Sequence, residues 1–547
     1  MLKPPSKAQK MQVNIVTPSD DYIPDFYWVH HCGYQNVTDA LSEEIPFWEP
    51  RNPILVCAPT GKGKSHFFKT VLIPDALEKG KTMLIISNRI ALTTQQKREI
   101  LEILDSPQLR YLTDEGLRNT ECFGSVAIIT YHRLPAFLGD PKNAEFLDDL
   151  LYVVADECHL LTSDSSFNES CNYYLKLLTT RFHRAIRVYM TATPWDVLYP
   201  LAEAEQSNWL RFESAFNPYL QPRSFNLYQF DASYDHVTLE FFQELDEIRE
   251  RIQEDSQDKW MVFVDNKEVG KAFAGSLPVK TLYLDADSKG KPEWLNVVKN
   301  QKFDARVLVT TPALDCGINI WDKQLKHVCV ITDDRTAFIQ MVGRKRCSPG
   351  EKFTVHVMEL SNQKLGARYA RAQEMLDFLE AYEASDRKNR QRMSSRIWND
   401  ENSELRKYFQ LGSGNLYYNK LAFHKLRRKF RFYQQLKDRE IGFQDAVCGW
   451  LGKSEEPAPT QNREVLLSFC QTNEDRELDD DTFDILRQLV IKAASDNGFY
   501  EDHPERLPDM GYDGVNHRLK YLGLEYSVIK SSKKLWLRKK QEGALVR

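Results

Sequence analysis

The sequence contains no Cys-x-x-Cys pair and no apolar run long enough to cross a membrane. Its 10 cysteines are scattered, and several lie in apolar stretches such as HVCVIT, where a thiol packs as a small apolar group. This pattern argues against a zinc ribbon and against a redox pair. The first residues include lysines but no continuous apolar core of a signal peptide. The sequence therefore predicts a cytoplasmic protein without a membrane partner.

Basic residues are not in excess, because 73 Lys and Arg stand against 78 Asp and Glu, for a net charge of −5. This balance excludes a uniformly basic coat for nucleic acid but allows a local basic groove, since association responds to the local field. Hydrophobic residues make up 42% and aromatic residues 12% of the chain, which excludes a disordered protein. A chain of 547 residues has room for roughly three or four domains.

Short apolar runs alternate with helix-compatible stretches in two series. The first series is ILVCAP, TMLIIS, VAIIT, YVVADE and RVYMTAT, and the second is WMVFVDN, TLYLDA, RVLVTT, VCVITDD and FTVHVMEL. Runs of this length and spacing are typical of buried strands in parallel sheets, so the sequence predicts two α/β domains. The stretch 221–258 is expected to join them, with an acidic helix over LEFFQELDEIRERIQED.

The composition changes after residue 362. QKLGARYARAQEMLDFLEAYEAS predicts a long helix, and the stretch KSEEPAPTQNRE (453–464) predicts a linker. Two helices and two β-like runs follow, a pattern that suggests a small winged-helix-like module. We therefore expect five regions: an amino-terminal extension (1–48), two α/β domains (49–222 and 223–362), a helical basic and aromatic region (363–452), and a linker with the small module (453–547).

The basic and aromatic stretch 416–440 allows two interpretations. In one, Leu426, Phe430 and Phe432 face a core while the neighbouring Arg and Lys side chains lie in solvent. In the other, the basic residues line a nucleic-acid groove and Tyr417, Tyr418 or Phe423 stack on bases. The first interpretation is slightly favoured.

The stretch NPILVCAPTGKGKSHF (52–67) has the form of a strand, a glycine-containing loop and a helix. Such a loop directs several backbone N–H groups at one point, where the helix dipole adds positive charge. Lys64 is expected to reach the β- and γ-phosphates and the Ser65 hydroxyl to ligate Mg²⁺. The sequence thus predicts an ATP site with magnesium. Its predicted cofactor-binding residues here are Thr60, Gly61, Lys62, Gly63, Lys64 and Ser65.

Two adjacent carboxylates end the apolar run YVVADECH (152–159). A carboxylate at the end of a buried strand is costly unless it has a cation to serve, so Asp156 is expected to hold Mg²⁺. Glu157 is then placed to activate the attacking water as a general base. Alone, the pair would indicate a helix cap, but after a phosphate loop it favours catalysis.

APTGKGKS, DECH and MTATP, in this order, resemble the motifs of a superfamily 2 helicase of the DEAD/DEAH-box-related kind, in a DECH variant. SNRIALTTQQ, IITYHRL, TTPALDCGINI and QMVGRKR resemble motif Ia, a later backbone-contacting motif, motif V and motif VI. The chain is also similar to helicase-like proteins of bacterial mobile elements and prophages. The resemblance covers about residues 50–360 and implies two tandem RecA-like domains, ATP in a cleft and a nucleic-acid strand held by its phosphates.

The resemblance also implies roles for individual residues. The residues expected to couple ATP hydrolysis to the binding of a nucleic-acid strand are His159, Thr191 and Thr193. Contacts to nucleic acid fall to Arg89, Thr130, Tyr131 and Thr311. Further nucleotide contacts fall to Asp315 and Gly317. The catalytic set becomes Lys64, Asp156, Glu157, Gln340, Arg344 and Arg346.

The stretch QMVGRKRC (340–347) departs from the family's usual spacing, QxxGRxxR, because its second arginine comes one residue early. At helical spacing a shift of one residue turns a side chain by about 100°. Arg344 is therefore the expected finger toward the γ-phosphate, with Gln340 placing the water, and the role of Arg346 stays open. Lys345 is expected on the surface.

These features predict an ATP-dependent helicase or translocase acting on DNA or RNA, with DNA slightly favoured. The alternative is a nucleotide-gated clamp that binds nucleic acid or a protein partner through its carboxy-terminal region without unwinding. A P-loop kinase does not account for TATP, for motif V or for the second series of strands. The carboxy-terminal third shows no nuclease signature.

Overall fold

The computed structural model of the chain describes residues 27–87, 90–104, 112–168, 170–212, 225–255, 257–311, 319–399, 404–412, 415–439, 441–453, 461–496, 510–522, 524–531 and 534–539. The chain forms two compact units, Met1–Ser233 with Asp315–Ile318 and Met375–Arg428, and Tyr234–Leu314 with Asn319–Glu374 and Lys429–Arg547. Within those ranges no helix combines the length and the apolar character needed to cross a membrane.

An 8-stranded sheet lies at the centre of the first unit, in the spatial order β1-β8-β2-β7-β6-β3-β5-β4. Every pairing is parallel except that of β4 with β5. The strands are β1 (Tyr27–Gly33), β2 (Ile54–Cys57), β3 (Thr82–Ser87), β4 (Cys122–Phe123), β5 (Val126–Thr130), β6 (Leu150–Ala155), β7 (Ile186–Thr191) and β8 (Phe225–Phe230).

The sheet of the first unit is buried on both faces, as its continuous apolar runs predict. Along β2, Leu55 packs into one hydrophobic cluster and Val56 into the other, because successive side chains point to opposite faces. The helices around it are α1 (Val37–Leu41), α2 (Lys64–Phe67), α3 (Ile73–Glu78), α4 (Ile90–Leu104), α5 (Asp114–Asn119), α6 (Leu134–Gly139), α7 (Ala144–Asp148), α8 (Leu160–Ser163), α9 (Cys171–Arg181) and α10 (Leu198–Phe212).

A π-helical turn, Phe68–Leu72, separates α2 from α3. The Ile73 N–H donates to the carbonyl of Phe68, one residue farther back than in an α-helix. Pro74 follows directly, and in regular α geometry its ring would clash with the carbonyl of Thr70. The wider turn relieves this clash, so the helix after the phosphate loop continues past a proline.

A buried ion pair fastens α10 to the sheet. The Arg187 guanidinium donates to both carboxylate oxygens of Glu205 at 2.7 and 3.2 Å, and the Tyr189 hydroxyl donates to the same carboxylate at 2.7 Å. The remaining Arg187 N–H group donates to three backbone carbonyls, including that of Pro50 at 3.0 Å. Both side chains are almost fully buried, at 1% and 2% exposure.

Replacing Glu205 with alanine is expected to lower the free energy of unfolding by about 3–5 kcal/mol, because it leaves an uncompensated buried guanidinium. Glu203 lies on the exposed side of the same helix, so Glu203→Ala is the matched control and is expected to change stability by less than about 0.5 kcal/mol. Chemical denaturation followed by circular dichroism measures both. Equal, small changes in the two variants would contradict the structural role of the pair.

A 6-stranded sheet, parallel throughout, lies at the centre of the second unit, in the order β11-β12-β10-β13-β14-β9. The expected pair of tandem RecA-like parallel-sheet domains is thereby confirmed. The strands are β9 (Val237–Phe242), β10 (Lys259–Phe263), β11 (Thr281–Leu284), β12 (Val307–Thr310), β13 (Leu325–Val330) and β14 (Phe353–Met358). The helices are α11 (Leu245–Glu254), α12 (Lys267–Ser276), α13 (Pro292–Asn300) and α14 (Arg335–Val342).

The structure shifts two expected boundaries. Strand β1 lies in the predicted amino-terminal extension and β8 in the predicted second domain, yet both belong to the first sheet, where β8 pairs with β1 and β2. The expected acidic helix is also shorter than predicted, since its first residues form the end of β9 and α11 begins at Leu245. The predicted boundary at 222/223 is therefore wrong, because it cuts β8 off from its partners.

The carboxy-terminal region is mainly helical, and the predicted long helix is α15. A two-stranded antiparallel hairpin, β15-β16, precedes α17. The elements are α15 (Asn362–Ala384), α16 (Arg387–Asn399), β15 (Phe409–Gly412), β16 (Asn415–Tyr418), α17 (Lys420–Lys437), α18 (Phe443–Trp450), α19 (Gln461–Thr472), β17 (Arg476–Leu478), α20 (Asp480–Asp496), α21 (Tyr512–Tyr521), β18 (Tyr526–Ser531) and β19 (Lys534–Lys539).

The last of these elements, from α19 to β19, form a module with its own core. Its sheet is antiparallel in the order β17-β19-β18. Leu466, Val490 and Leu537 are fully buried in a separate hydrophobic cluster. The chain order helix, strand, helix, helix, strand, strand is that of a winged helix, as the sequence suggested. The sequence missed α19 and β17, because α19 begins inside the linker-like composition.

Within α17 the core interpretation fits Leu426, whereas Phe430 and Phe432 are half-buried. Arg428 is paired with Asp196 instead of lying in solvent. Leu426 and Phe423 are each 6% exposed, and the Arg427 guanidinium covers the Phe423 ring at 4.3 Å. Phe423 is therefore not available to stack on a base. The side chains of Tyr417 and Tyr418 lie outside the described residues. The residue before α17, Asn419, is 1% exposed and donates to the carbonyl of Ser165 at 2.6 Å.

Candidate functional site

Three adjacent strands of the first sheet end at one edge, and the loops that follow them carry the predicted motifs. Strand β7 lies between β2 and β6. Backbone bonds continue the pairing into the loops: Ala58 N–H donates to Thr191 O and Cys158 N–H donates to Met190 O, each at 3.0 Å. The phosphate loop, the DECH segment and the TAT segment are therefore held side by side by the sheet itself.

The phosphate loop turns at two glycines with left-handed backbone conformations. Gly61 has φ 89° and Gly63 has φ 84°, values that strain any residue with a side chain. Lys64 begins α2, and its ammonium lies within the loop, donating to the carbonyls of Ala58 at 2.6 Å and Pro59 at 3.3 Å. The lysine is 8% exposed. A buried cation and a helix amino terminus thus face the same small space, which suits a phosphate group.

Residues upstream of β2 pack against this loop. The Val37 N–H donates to the Lys62 carbonyl at 3.0 Å, and the Lys62 ammonium donates to the Tyr34 carbonyl at 2.7 Å. The same ammonium lies 5.5 Å from the centre of the Tyr34 ring, which is 66% exposed. Sequence reasoning left Tyr34 unassigned, although its place before the phosphate loop was a usable signal.

The two carboxylates of the DECH segment have different environments. Asp156 is 3% exposed and accepts the Glu157 N–H at 3.1 Å. Glu157 has φ 51°, a left-handed conformation that is rare for a residue with a long side chain. Such strain costs about 1–3 kcal/mol and persists where the surroundings impose it, often at functional positions. Because of this strained turn, the carboxylates of Asp156 and Glu157 point in different directions.

His159 joins the DECH and TAT segments. Its Nδ1 lies 3.1 Å from the Thr191 hydroxyl oxygen and 3.2 Å from a carboxylate oxygen of Glu157. The Thr191 hydroxyl also accepts the Thr193 N–H at 2.9 Å. Both threonines are fully buried. A continuous polar path therefore runs from Glu157 through His159 to the TAT segment.

Two residues expected to contact nucleic acid follow β5. Thr130 is partly exposed, whereas Tyr131 is 4% exposed and its hydroxyl donates to the Asp156 carbonyl at 3.0 Å. Burial raises the pKa of the Tyr131 phenol well above its usual value, so the phenol remains a donor. The Tyr131 side chain is hydrogen-bonded to the DECH turn and is buried away from the surface. It is therefore not placed to contact nucleic acid, which corrects that expectation.

In the second unit, Gln340 and Arg344 are joined to each other. The Arg344 guanidinium donates to the Gln340 carbonyl at 2.9 Å and to the Gln340 side-chain oxygen at 2.8 Å. Arg344 is 5% exposed and Gln340 is 6% exposed. The expected finger and the expected water-placing residue therefore form one hydrogen-bonded pair at the end of α14.

The segment after α14 is extended instead of helical. Lys345 forms a β-bridge with Ile320, and the Ile320 N–H donates to the Arg344 carbonyl at 2.8 Å. Gly343 and Arg344 form a turn between α14 and this bridge, so the extended pairing begins at Lys345. Arg346 donates to the Asn319 side chain at 2.9 Å. The one-residue shift from the family spacing is thus accommodated by a change of backbone, and not by a 100° turn of a helix.

Lys345 is not a surface residue. It is 4% exposed, and its ammonium donates to the Glu351 carboxylate at 2.6 Å and to the Asp322 carbonyl at 2.8 Å. The expectation of a surface lysine is therefore wrong, because the β-bridge turns this side chain inward where Glu351 neutralises it.

The remaining expected residues divide into two groups. Thr311 directly follows β12 and is 6% exposed, so its side chain offers little surface to a nucleic-acid strand. Arg89, Asp315 and Gly317 lie outside the described residues, and their roles stay predictions.

Residues 39–199 match the family model of the DEAD/DEAH box helicases. They form a DEAD/DEAH box helicase domain. The match spans the phosphate loop, the DECH segment and the TAT segment, the three loops that the sheet holds together. No curated protein sequence matches the chain.

Solved helicase structures resemble the chain at low identity. Dbp5 of S. cerevisiae, bound to RNA and ADP BeF3, is 14% identical with a TM-score of 0.43, covering 61% of this chain and 86% of that one. Mss116p bound to ssRNA and AMP-PNP is 14% identical with a TM-score of 0.43, covering 90% and 97%. The DUF1998 helicase MrfA bound to DNA is 16% identical with a TM-score of 0.42, covering 59% and 46%.

The helicase domain has the donor set that ATP and magnesium require. Two left-handed glycines leave the loop backbone open to a phosphate, and buried Lys64 supplies a positive charge beside them. The buried Asp156 carboxylate and the Ser65 hydroxyl are oxygen donors of the kind that Mg²⁺ prefers. The thiols nearby take no part in this chemistry, since burial raises the pKa of Cys57 and of Cys158 and keeps both protonated.

Proposed function

We propose that the protein is an ATP-dependent nucleic-acid helicase or translocase, with DNA slightly favoured over RNA as its partner and the cytoplasm as its location. One observation carries the proposal. In the helicase domain, His159 Nδ1 is hydrogen-bonded to the Thr191 hydroxyl and lies 3.2 Å from a Glu157 carboxylate oxygen, so it connects the turn that carries the expected catalytic base to the TAT segment. A hydrolase without a second task has no need of such a link.

Each residue of the helicase domain then has a defined task. The loop N–H groups and Lys64 bind the phosphates, and Ser65 and Asp156 hold Mg²⁺, which neutralises charge on the phosphate oxygens when bound. Glu157 accepts a proton from the attacking water, and the charge that develops on the γ-phosphate is met by Arg344 of the second domain. Gln340, which accepts hydrogen bonds from Arg344, helps to place the attacking water.

His159 supports the coupling of hydrolysis to strand binding. Its Nδ1 is shared between the Glu157 carboxylate and the Thr191 hydroxyl, so a shift of either partner redistributes its hydrogen bond. A movement of the TAT segment on strand binding then alters the position of the base. This gives a nucleic acid a route to stimulate turnover from outside the nucleotide site.

The direct test is the ATPase rate measured with and without polynucleotide, using single- and double-stranded DNA and RNA. We expect stimulation by at least one polynucleotide, with DNA the stronger, and a steep loss of that stimulation as salt rises, because phosphate contacts release counterions. Replacing His159 with alanine should reduce the stimulation more than the basal rate. An ATPase rate that no polynucleotide changes would overturn the proposal.

The winged-helix-like module supports a second candidate, a nucleotide-gated clamp that binds nucleic acid or a protein partner without unwinding. The module has its own hydrophobic core and its own sheet, so it is equipped to recognise a partner by itself. A strand-displacement assay with a fluorescent duplex separates the two. Stimulated ATPase with displacement supports the helicase, and stimulated ATPase without it supports the clamp or a duplex translocase.

A further inference from the structure

A cluster of titratable side chains lies at the edge of the second sheet where its parallel strands begin. Asp255 directly follows α11, Asp258 directly precedes β10, and His327 lies near the start of β13. The predicted motifs of this domain follow the other ends of its strands. The cluster therefore belongs to no part of the nucleotide site.

The three side chains present their polar atoms to one another. His327 Nε2 lies 3.8 Å from a carboxylate oxygen of Asp255 and 3.9 Å from one of Asp258. One ligand atom from each residue lies within 4.8 Å of the other two. Among the described residues, this is the one group of three such side chains that meets that limit. All three are partly buried, so the cluster is open to solvent on one side.

The ligand atoms are held in place by packing. Trp260 stacks on the His327 ring at 4.0 Å between ring centres, with 12° between their planes. The Trp260 N–H donates at 2.8 Å to the Asp255 oxygen that faces His327. The other Asp255 oxygen accepts the backbone N–H groups of Gln257 and Asp258 at 3.0 and 3.1 Å. The side chains of Asp255 and His327 therefore need little rearrangement to bind a ligand.

A second histidine lies behind the first. His327 Nδ1 is 2.9 Å from His356 Nε2, and the His356 side chain is 2% exposed. The Arg251 guanidinium donates to His356 Nδ1 at 3.0 Å, so in this arrangement His356 Nε2 carries its proton and donates to His327 Nδ1. Neutral imidazole is the form that binds a metal ion, and ligating histidines typically use their other nitrogen to bond a neighbour.

The surrounding charges favour a cation. The two aspartates carry two negative charges, and Glu240 lies beyond the histidine pair, with its carboxylate 3.3 Å from His356 Nδ1. Arg306 lies 3.9 Å from the outer oxygen of Asp255, the one that faces away from His327. Arg251 is paired with Glu240 at 2.9 Å, which neutralises both. When the charges of Glu240, Arg251 and Arg306 are added to those of the two aspartates, the cluster keeps a net charge of one negative unit.

We propose that Asp255, Asp258 and His327 bind a divalent transition-metal ion of the Zn²⁺ class. Two carboxylate oxygens and one imidazole nitrogen suit zinc and cobalt, and water completes a tetrahedron. With bonds of about 2.0–2.2 Å, tetrahedral ligand atoms lie roughly 3.4 Å apart. The observed 3.8 and 3.9 Å therefore have to contract by only about half an ångström.

The histidine pair adapts to the ion without a net change of protons. In the bound state His327 Nε2 gives its lone pair to the ion, so its proton lies on Nδ1 and is donated to His356 Nε2. The His356 proton then lies on Nδ1, so the hydrogen bond that Arg251 donates to this atom at 3.0 Å breaks, and the proton is donated to the Glu240 carboxylate, 3.3 Å away. Each ring keeps one proton, and Arg251 retains its bond to Glu240.

The site is structural, because it connects the loop after α11 to β13. Its occupancy is independent of the ATP site, whose expected metal is Mg²⁺ held by oxygen donors alone. The proposal therefore does not rest on the helicase function, and a failure of one leaves the other intact.

The test uses full-length protein without a polyhistidine tag, stripped with a chelator and dialysed against Zn²⁺, followed by elemental analysis. We expect about one equivalent of zinc to be retained by the wild type. With Co²⁺ in place of Zn²⁺, we expect visible d–d absorption of a tetrahedral site. Both signals should be lost in His327→Ala and in Asp258→Asn.

Two controls separate binding at this site from surface binding and from loss of the fold. His517 is exposed on the carboxy-terminal module, so His517→Ala should retain the metal and corrects for surface binding. Asp258 is more exposed than the other ligands, so Asp258→Asn should keep the fold, as checked by circular dichroism. No retained metal in the wild type, or equal retention in wild type and Asp258→Asn, would overturn the proposal.

Discussion

Replacing Arg344 with alanine is expected to lower the ATP turnover number by ~10³–10⁵-fold while nucleotide affinity changes little. The family resemblance assigns this guanidinium to the γ-phosphate, whose charge develops only in the transition state. In the structure the guanidinium donates to the Gln340 side chain, so the alanine variant also removes that hydrogen bond. Turnover from a coupled ATPase assay, with binding measured by a fluorescent ATP analogue, checks the result.

Arg346→Ala is the matched variant for this prediction. Arg346 lies two residues after Arg344, but it donates to the Asn319 side chain and is more exposed. Near-normal turnover in Arg346→Ala would indicate a site with a single finger. A comparable loss in both variants would indicate that both arginines reach the phosphate. Full activity in Arg344→Ala would rule out a finger at that position.

Replacing Glu157 with glutamine is expected to lower the turnover number by ~10²–10⁴-fold, since an amide cannot take the proton of the attacking water. ATP binding should persist, because Lys64 and the loop backbone are unchanged. The glutamine keeps the size and shape of the side chain, so the melting temperature should stay close to that of the wild type. Single-turnover hydrolysis of radiolabelled ATP measures the chemical step directly.

The left-handed conformation of Glu157 provides a control that separates catalysis from folding. Glycine adopts φ 51° without strain, so Glu157→Gly is expected to be as inactive as the glutamine variant without a loss of stability. If the glycine variant hydrolysed ATP at the wild-type rate, Glu157 would not be the base. A lower free energy of unfolding in that variant would argue against strain at this turn.

The strands that carry the motifs were predictable from sequence because they are buried on both faces, and burial on both faces produces an unbroken apolar run. Among the strands that were missed, β1 and β8 lie toward one edge of the first sheet and mix polar with apolar residues, as in FNLYQF. Neither the composition nor the spacing of such a strand reveals its partner. The predicted domain boundary failed at β8 for this reason.

The phosphate loop and the DECH segment were predictable because their chemistry depends on local residue order. Lys345 and Tyr131 were misplaced because their environments depend on distant partners, Ile320 for one and the Asp156 carbonyl for the other. The metal cluster was not predicted at all. Its ligands are separated by about 70 residues in sequence and meet only where α11 ends beside β13.

The position of β1 at the edge of the first sheet has a consequence during biosynthesis. Its only partner among the described strands is β8, which the ribosome adds almost two hundred residues later. At 5–20 residues per second, β1 waits roughly 10–40 s for the segment that completes the sheet. Throughout that interval the segment that forms β1 has no sheet partner. A chaperone at the exit tunnel would therefore find Tyr27–Gly33 without its sheet partner until β8 has been synthesised.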